Sequence, residues 1–297
     1  MQNDITHKQA KADVFCETLP TVTLVCAVDA NYIKQAEVSI PVWKKRAPGL
    51  FDFPMVMIVC VDGQFRVEPS RVQSLLEAVE HPDFRIVEWP SIGAGEYQTQ
   101  RELMLSSFVH IADKIETGYM LKIDVDALPV RAVKKDDWFN VKMFNGFANR
   151  HHPELVQQPA LVASPWGYTK PANQMMVLDE WAQHIPTLRQ YPALNIRPDK
   201  PDARKVGHKR ICSWFCYIET EFAKLCRSFC VPNRLPVPSQ DGFHWYCAER
   251  LGWGMNRLKF KRKGWNNYPR IRSLKQAAET EKTVGPSTYD HKTKSHT

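Results

Sequence analysis

The sequence lacks several features that would assign it to a familiar class of protein. No apolar run approaches the ~18–20 residues of a membrane-spanning helix. The first residues, MQNDITHKQAKADVF, lack the basic-then-apolar order of a secretory signal. Internal repeats and low-complexity segments are also absent, which argues against repeat architectures. We therefore expect a soluble, cytoplasmic protein whose eight cysteines are mostly reduced thiols.

The composition is that of an ordinary globular protein, but its positive charge is unevenly spread. The 297 residues are 43% hydrophobic and 24% charged, which suits one large domain or two small ones. Of the net charge of +8, much comes from the stretch RLKFKRKGWNNYPRIRSLK at residues 257–275, which has eight basic residues and no acid. Such a segment attracts phosphates of a nucleotide, a nucleic acid or a lipid surface. A solvated basic tail is the alternative.

Apolar β-branched runs alternate with helical patterns through residue 130. Strands are predicted at 21–29, 53–63, 84–90 and 119–130, with helices at 31–49, 69–82 and 96–118 between them. Pro41 should kink or end the first helix. This alternation predicts an α/β fold with a mostly parallel, Rossmann-type sheet. Residues 131–275 form a more irregular half rich in proline and aromatic residues. A polar tail at 1–20 precedes the first half, and a tail at 276–297 that we expect to be disordered follows the second.

Two carboxylates follow the most core-like strand, in YMLKIDVDALPV at residues 119–130. Ligands of open α/β sheets bind at the carboxyl ends of strands, where Asp124 and Asp126 lie. Residues i and i+2 of a strand point to the same face, so the two carboxylates should converge and repel each other. A divalent cation, Mn²⁺ or Mg²⁺, between them would remove that repulsion and bind a diphosphate. Two solvated aspartates at a strand end are the plainer interpretation.

The order and spacing of these segments resemble a known family. TLVCAVDANY as the first strand and turn, MIVCVDG as the second, QTQRELMLSSFV as a helix and YMLKIDVDA look like the nucleotide-sugar-binding half of GT-A-fold glycosyltransferases. The resemblance covers residues 21–130 and extends more loosely to about residue 268. It implies a GT-A-like fold with an acceptor-binding C-terminal half, and a metal-dependent transfer of a sugar from a nucleoside-diphosphate sugar, with a UDP-sugar as first choice, to an acceptor hydroxyl.

The resemblance also implies a set of donor-binding residues. Asp29 would bond the base or ribose, Tyr32 would stack on the base, and Asp62 would contact the nucleoside. Arg101 would reach the diphosphate or the first aspartate. The alternatives are packing of Tyr32 on the sheet, a plain Asp-Gly turn at Asp62 and a solvated helix charge at Arg101. The complete predicted nucleotide-sugar site comprises Ala27, Val28, Asp29, Tyr32, Asp62, Arg101, Val125, Lys261 and Lys263.

The acceptor half carries the predicted catalytic group. If the reaction inverts the anomeric carbon, a carboxylate must take the proton of the acceptor hydroxyl, and Asp241 is the candidate in PVPSQDGFHWYCAERLGW. A helix N-cap is the alternative for this residue. His244 is a candidate third metal ligand, or else a packed aromatic-cluster histidine. The predicted acceptor wall comprises Trp166, Tyr168, Trp245 and Trp265.

Three rival interpretations compete with glycosyl transfer. Cys212, Cys216, Cys226 and Cys230 are spaced C-x3-C-x9-C-x3-C, but aromatic residues between them favour core packing over a zinc site. The basic segment with its interleaved aromatics suits a protein that binds or modifies nucleic acid. A nucleotidyltransferase would also use paired aspartates, but AVDANYIKQ lacks the glycine- and arginine-rich phosphate loop of that class. A His-x-x-Gly-x-x-Lys pattern is also missing, which leans the prediction towards inversion.

Overall fold

The computed structural model describes residues 17–89, 107–168, 209–233, 240–258 and 264–267. For 165–168, 209–213, 230–233, 240–242, 246 and 266–267 it describes the backbone alone. Residues 1–16 of the predicted N-terminal tail, the predicted tail at 276–297 and residues 96–106 of the predicted helix at 96–118 lie outside the described residues. No helix in the described part is long and apolar enough to cross a membrane.

The N-terminal part folds as the predicted alternation of strands and helices. Strand β1 pairs with β2, and β2 with β3, both in parallel. Every residue of β2 and β4 is buried, which explains their continuous apolar sequences. The elements are β1 (Val22–Val28), α1 (Ile33–Arg46), β2 (Met55–Cys60), α2 (Pro69–Ala78), β3 (Phe84–Trp89), β4 (Tyr119–Ile123) and β5 (Ala127–Pro129).

The C-terminal part adds further strands and helices. Strand β8 pairs antiparallel with β9 and parallel with β10, while β11 pairs antiparallel with β5. The elements are α3 (Lys135–Trp138), β6 (Phe147–Ala148), β7 (Val156–Gln157), β8 (Leu161–Tyr168), β9 (Lys209–Glu219), α4 (Thr220–Asn233), α5 (Gln240–Arg250), β10 (Met255–Arg257) and β11 (Trp265–Asn267).

The central sheet of the described residues has seven strands, in the order β10-β8-β9-β4-β1-β2-β3. It is mixed and mostly parallel, which confirms the predicted α/β fold class. The prediction that Pro41 would end or kink α1 needs refinement, because the helix continues to Arg46. Proline removes one backbone donor, and the rest of the helix is retained by a buried face that includes Ser39 and Trp43.

The chain divides into two compact units that interleave along the sequence. Unit 1 comprises Met1–Thr21, Glu96–Met120 and Asn140–Leu258. Unit 2 comprises Val22–Gly95, Leu121–Phe139 and Lys259–Thr297. The predicted boundary at residue 130 therefore falls inside a stretch, residues 121–139, that belongs to unit 2 throughout. Both predicted metal-binding aspartates lie in unit 2, and the predicted base lies in unit 1.

Candidate nucleotide and metal site

The two aspartates lie in a tight turn that directly follows β4. The strand ends at Ile123, and the turn closes through a hydrogen bond of 2.9 Å from the Ala127 amide to the Asp124 carbonyl. The same-face rule for strand residues i and i+2 therefore does not apply to Asp124 and Asp126. The two carboxylates still lie near enough to interact, and the charge of Asp124 therefore contributes to the raised pKa of Asp126.

A buried lysine holds the first aspartate. Lys122, on β4, is 1% exposed, and its ammonium donates to Oδ1 of Asp124. A charged side chain is rarely buried without a partner, so this ion pair fixes where Asp124 points. Sequence reasoning missed Lys122, although a lysine inside the otherwise apolar YMLKI, two residues before Asp124, is the signal that points to it.

The second aspartate is buried and incompletely satisfied. Asp126 is 6% exposed, and its Oδ1 has no hydrogen-bond partner among the described residues. Burial, followed by the charge of Asp124, raises the pKa of Asp126 to about 7. The interpretation of two solvated aspartates at a strand end is thus wrong for Asp126. A buried carboxylate oxygen without a partner, beside a second carboxylate, is a site that a cation would complete.

The donor set suits a hard divalent cation that also binds its substrate. The described residues contain no group of three or more His, Cys, Asp or Glu side chains placed to hold a metal ion. Mg²⁺ and similar ions are commonly bound through one or two carboxylates, with phosphate oxygens and water as the remaining ligands. Asp124 and Asp126 therefore suit a Mn²⁺ or Mg²⁺ ion that is also bound by a diphosphate. They are less suited to an ion whose ligands all come from the protein.

Asp29 lies at the same edge of the sheet, directly after β1. Tyr119 at the start of β4 bonds Thr21, and Cys26 contacts the Ile123 backbone at its end, so β1 and β4 run in parallel. The carboxylate of Asp29 accepts hydrogen bonds from the amides of Asn31 (2.8 Å) and Tyr32 (3.1 Å), and burial raises its pKa. Asp29 therefore shapes the entry to α1, and its predicted contact with a nucleoside stays a prediction.

The loops after β1 and β2 are tied to each other. The Ala30 amide donates to the Phe65 carbonyl at 2.9 Å, which links the end of β1 to the turn after β2. In that turn, the exposed Asp62 caps the Gly63 amide at 2.7 Å. The predicted plain-turn role of Asp62 is thus present, and its nucleoside contact is untested.

Tyr32 stands out among the predicted nucleoside contacts. It is 43% exposed beside the start of α1, so a substantial part of its surface is accessible to a ligand. A large exposed aromatic side chain beside a loop of a ligand edge is suited to stacking. The other predicted contacts there are half-buried at Ala27 and buried at Val28 and Val125, so their side chains offer little surface to a ligand.

In unit 1, α5 carries three of the predicted residues. Asp241 is the second residue of this helix, and its side chain lies outside the described part. His244 is buried, and its ring packs against those of Phe222 and Phe243. Trp245 is partly exposed, and its indole Nε1 is a buried donor with no hydrogen bond to a described residue.

The remaining predicted residues have less structural support. Trp265 is 2% exposed and packs edge-on against Trp138 at 6.4 Å, so it has almost no surface to offer an acceptor. The backbones of Trp166 and Tyr168 lie in β8, but their side chains are outside the described part. Arg101, Lys261 and Lys263 are also outside it.

The cysteine pattern resolves in favour of packing where it is described. Cys216 on β9 and Cys226 on α4 are fully buried thiols that form no disulfide. Cys212 and Cys230 have no described side chains. Core packing, the interpretation favoured from the sequence, is confirmed for the two described members.

Comparison with known proteins connects this chain to others through structure alone. No protein-family model matches the sequence, and no curated protein does. Among solved structures, core-mannan synthase A of Aspergillus fumigatus, in a form with Mn and GDP, matches 83% of this chain and 74% of its own at a TM-score of 0.50 and 9% identity.

Two further solved structures match with lower scores. The galactosyltransferase LgtC, in complex with donor and acceptor sugar analogues, matches 80% of this chain and 74% of its own, with a TM-score of 0.43 and 12% identity. The 4-diphosphocytidyl-2C-methyl-D-erythritol synthase of Anaerococcus prevotii matches 89% of this chain and 98% of its own, with a TM-score of 0.45 and 8% identity.

Identities this low carry information about the fold and not about substrates. Core-mannan synthase A reaches the TM-score expected of a shared fold. The chain therefore has a GT-A-type fold, which confirms the fold implied by the resemblance found in its sequence.

Proposed function

We propose that the protein is a metal-dependent glycosyltransferase that moves a sugar from a nucleoside-diphosphate sugar to an acceptor hydroxyl. The observation that carries the proposal is the Asp124–Asp126 turn at the ligand edge of a GT-A sheet. In the described part of the chain the buried Oδ1 of Asp126 has no partner, which disfavours the empty site, and a cation shared with a diphosphate would relieve it. A purely structural turn has no need for that arrangement.

The donor is held at the edge formed by β1, β2 and β4. Tyr32 stacks on the base, and the loop that contains Asp29 receives the ribose. Asp124 and Asp126 would hold Mn²⁺ or Mg²⁺, which would offset the negative charge that develops on the leaving diphosphate. The matching synthase was solved with Mn and GDP, so GDP-sugars join UDP-sugars as the first donors to test.

The acceptor reacts with inversion in this proposal, with Asp241 as the base. The acceptor oxygen forms a bond to the anomeric carbon while the bond from that carbon to the diphosphate oxygen breaks. The hydroxyl proton passes to the Asp241 carboxylate, and the nucleoside diphosphate leaves with the bonding electrons. The structure shows only that Asp241 lies in the first turn of α5. Its role as the base is therefore a proposal to be tested.

No observation favours the two alternative functions. The basic segment that suggested nucleic acid lies outside the described residues except at 257–258 and 264–267. The loop after β1 is arranged around Asp29 and contains no glycine or arginine to cradle a nucleotidyl group.

The experiment is a donor-hydrolysis and transfer assay on the full chain with UDP- and GDP-sugars, with Mn²⁺ present or chelated. We expect metal-dependent release of the nucleoside diphosphate, and a loss of at least about 100-fold in Asp126→Asn, the scale reported for groups at which reaction charge is stabilised. Asp83→Asn, a control at an exposed loop aspartate, should retain activity. Full metal-dependent activity in Asp126→Asn would overturn the assignment.

Asp241 is tested in the same assay by separating turnover from binding. Asp241→Asn should lower kcat while donor affinity is kept, because a base acts on the acceptor and not on the donor. Unchanged turnover would leave Asp241 as a helix-terminal residue only.

A further inference from the structure

One face of α1 is hydrogen-bonded to the backbone of the segment that contains the two aspartates. Trp43 donates its indole N–H at 2.6 Å, and Arg46 donates from its guanidinium at 3.1 Å. Ser39 donates its hydroxyl to the same segment. The acceptors are the carbonyls of Val125 for Ser39, Ala127 for Trp43 and Pro129 for Arg46.

The spacing of these contacts is regular on both partners. Ser39, Trp43 and Arg46 are four and three residues apart, which places them along one stripe of a helix. Their acceptors are alternate residues, of which Ala127 and Pro129 lie in β5, where alternate carbonyls face the same way, and Val125 lies in the turn just before it. On the opposite side, β5 pairs with β11. The segment is therefore fixed by α1 through three separate side chains.

Ser39 is the contact nearest the aspartates. It is fully buried, and its acceptor lies between Asp124 and Asp126. A hydroxyl has one hydrogen, yet the Oγ of Ser39 also lies 2.6 Å from the Gln35 carbonyl of its own helix. The two carbonyls share that hydrogen, so Ser39 couples the first half of α1 to the turn.

We propose that Ser39 and Trp43 are positioning residues that hold the Asp124–Asp126 turn in its ligand-ready shape before any ligand binds. Like charges this close repel, and that repulsion acts to open the turn. Lys122 restrains the Asp124 side chain, whereas Ser39 and Trp43 restrain the backbone that carries both carboxylates. The consequence for ligand binding rests on the proposed function, while the restraint itself is a property of the empty protein.

Hydrogen exchange of the metal-free protein measures the restraint directly. The Ala127 amide closes the turn, so its exchange reports opening of the turn. We expect about fivefold faster exchange at Ala127 in Ser39→Ala, the factor set by one hydrogen bond, and a comparable or larger increase in Trp43→Phe. The matched controls are Ser74→Ala at an exposed position of α2 and Trp89→Phe at an equally buried position of β3.

Exchange at Ala127 that is unchanged in Ser39→Ala, or increased equally by the controls, would overturn the inference. If Trp43→Phe does not fold, Ser39→Ala decides alone, because removing one hydroxyl leaves almost no cavity. Ser39→Thr keeps the hydroxyl and should restore the slow exchange.

Binding of Mn²⁺ with GDP or UDP separates this inference from the proposed function. If the unmodified protein binds the pair, Ser39→Ala should bind it about five- to tenfold more weakly at a temperature where both proteins are fully folded. Equal affinity in the variant would contradict the positioning role and leave the proposed function standing. If the unmodified protein binds neither pair, the proposed function fails, and the exchange experiment still decides whether Ser39 and Trp43 restrain the turn.

Discussion

The turn after β4 and the helix α5 both carry predicted site residues, and they differ in how their polar groups are used. At the turn, Lys122 and Asp124 pair, while Asp126 keeps a buried oxygen for which the described protein supplies no partner. At α5, the ring of His244 packs against the rings of Phe222 and Phe243. The difference teaches that a buried carboxylate oxygen with no described partner, beside a second carboxylate, marks a cation site better than a buried neutral donor such as Nε1 of Trp245 does, because burial costs an ionised group far more.

The end of α5 shows the opposite use of polarity. Asn149 donates to the Leu251 carbonyl at 3.0 Å and accepts from the His151 amide at 2.8 Å. The first bond fastens the loop to the end of the helix, where Gly252 has a φ of +74°, and the second closes the loop on itself. Polar groups there are occupied by the fold, so we expect changes in this region to alter stability and leave nucleotide binding intact.

The largest effect of this kind is expected at Gly252. A Cβ there would lie 2.5 Å from Oδ1 of Asn149, in addition to the strain of a left-handed conformation. Gly252→Ala should lower the free energy of unfolding by about 2–4 kcal/mol, measured by chemical denaturation. Gly63, with a φ of +57° and open space around its Cα, is the matched control, and Gly63→Ala should cost only about 1 kcal/mol. Equal losses in the two variants would show that the contact with Asn149 does not matter.

The next effect is a pH dependence that originates in unit 1. Burial, followed by the charge of Arg227, lowers the pKa of His110 from 6.5 to about 4. The unfolded chain therefore takes up a proton between pH 6.5 and pH 4 that the folded protein does not, so stability is present above pH 6.5 and is lost as the pH falls. The loss should be about 2 kcal/mol between pH 7 and pH 5.

His110→Gln should remove that pH dependence, and denaturation curves at the two pH values test it. The exposed His152 is the control, because His152→Gln should leave the dependence unchanged. A slope that survives in His110→Gln would assign the dependence to other groups.

The smallest effect is expected at Tyr32. Because Tyr32 is exposed at the proposed ligand edge, its replacement should weaken nucleotide binding without lowering the stability of the protein. Tyr32→Ala should weaken metal-dependent binding of a nucleoside diphosphate about tenfold, because stacking of a base on an aromatic ring is worth ~1–3 kcal/mol. Tyr32→Phe should bind almost normally. Leu19→Ala is the control, since Leu19 is equally exposed at 43%. Calorimetry with the preferred diphosphate checks all three, and full binding by Tyr32→Ala would remove the stacking role.

The fold was readable from the sequence where local patterns and packing agree. The apolar runs of β1, β2 and β4 and the intervening helices produce the parallel sheet, and the placement of Asp124 and Asp126 at its ligand edge follows from that order. The tight turn was not predictable, because the strand pattern continues through LPV and hides where β4 ends. The burial of Asp126 is a property of the tertiary structure and could not be predicted from the neighbouring sequence.

The residues that support the site were harder to find. Ser39 and Trp43 lie more than 80 positions before the carbonyls that they bond, and only the packing of α1 shows their use. An acceptor-binding role was predicted for an aromatic residue that the structure places in the core, for the same reason. Trp265 has the composition of a sugar-binding residue, but its pairing with Trp138 in the core is a tertiary contact without a local signal.

The most direct test of the central claim is to measure, by thermal shift, the binding of UDP, GDP, CDP and ADP to the full chain. Each nucleotide is tested with and without Mn²⁺. A ligand that binds only the folded state raises the melting temperature by mass action. We expect one diphosphate to raise it, only when Mn²⁺ is present, and this increase to vanish in Asp126→Asn. An absence of any Mn²⁺-dependent increase, or an equal increase in Asp126→Asn, would contradict the claim that the Asp124–Asp126 turn is a nucleotide and metal site.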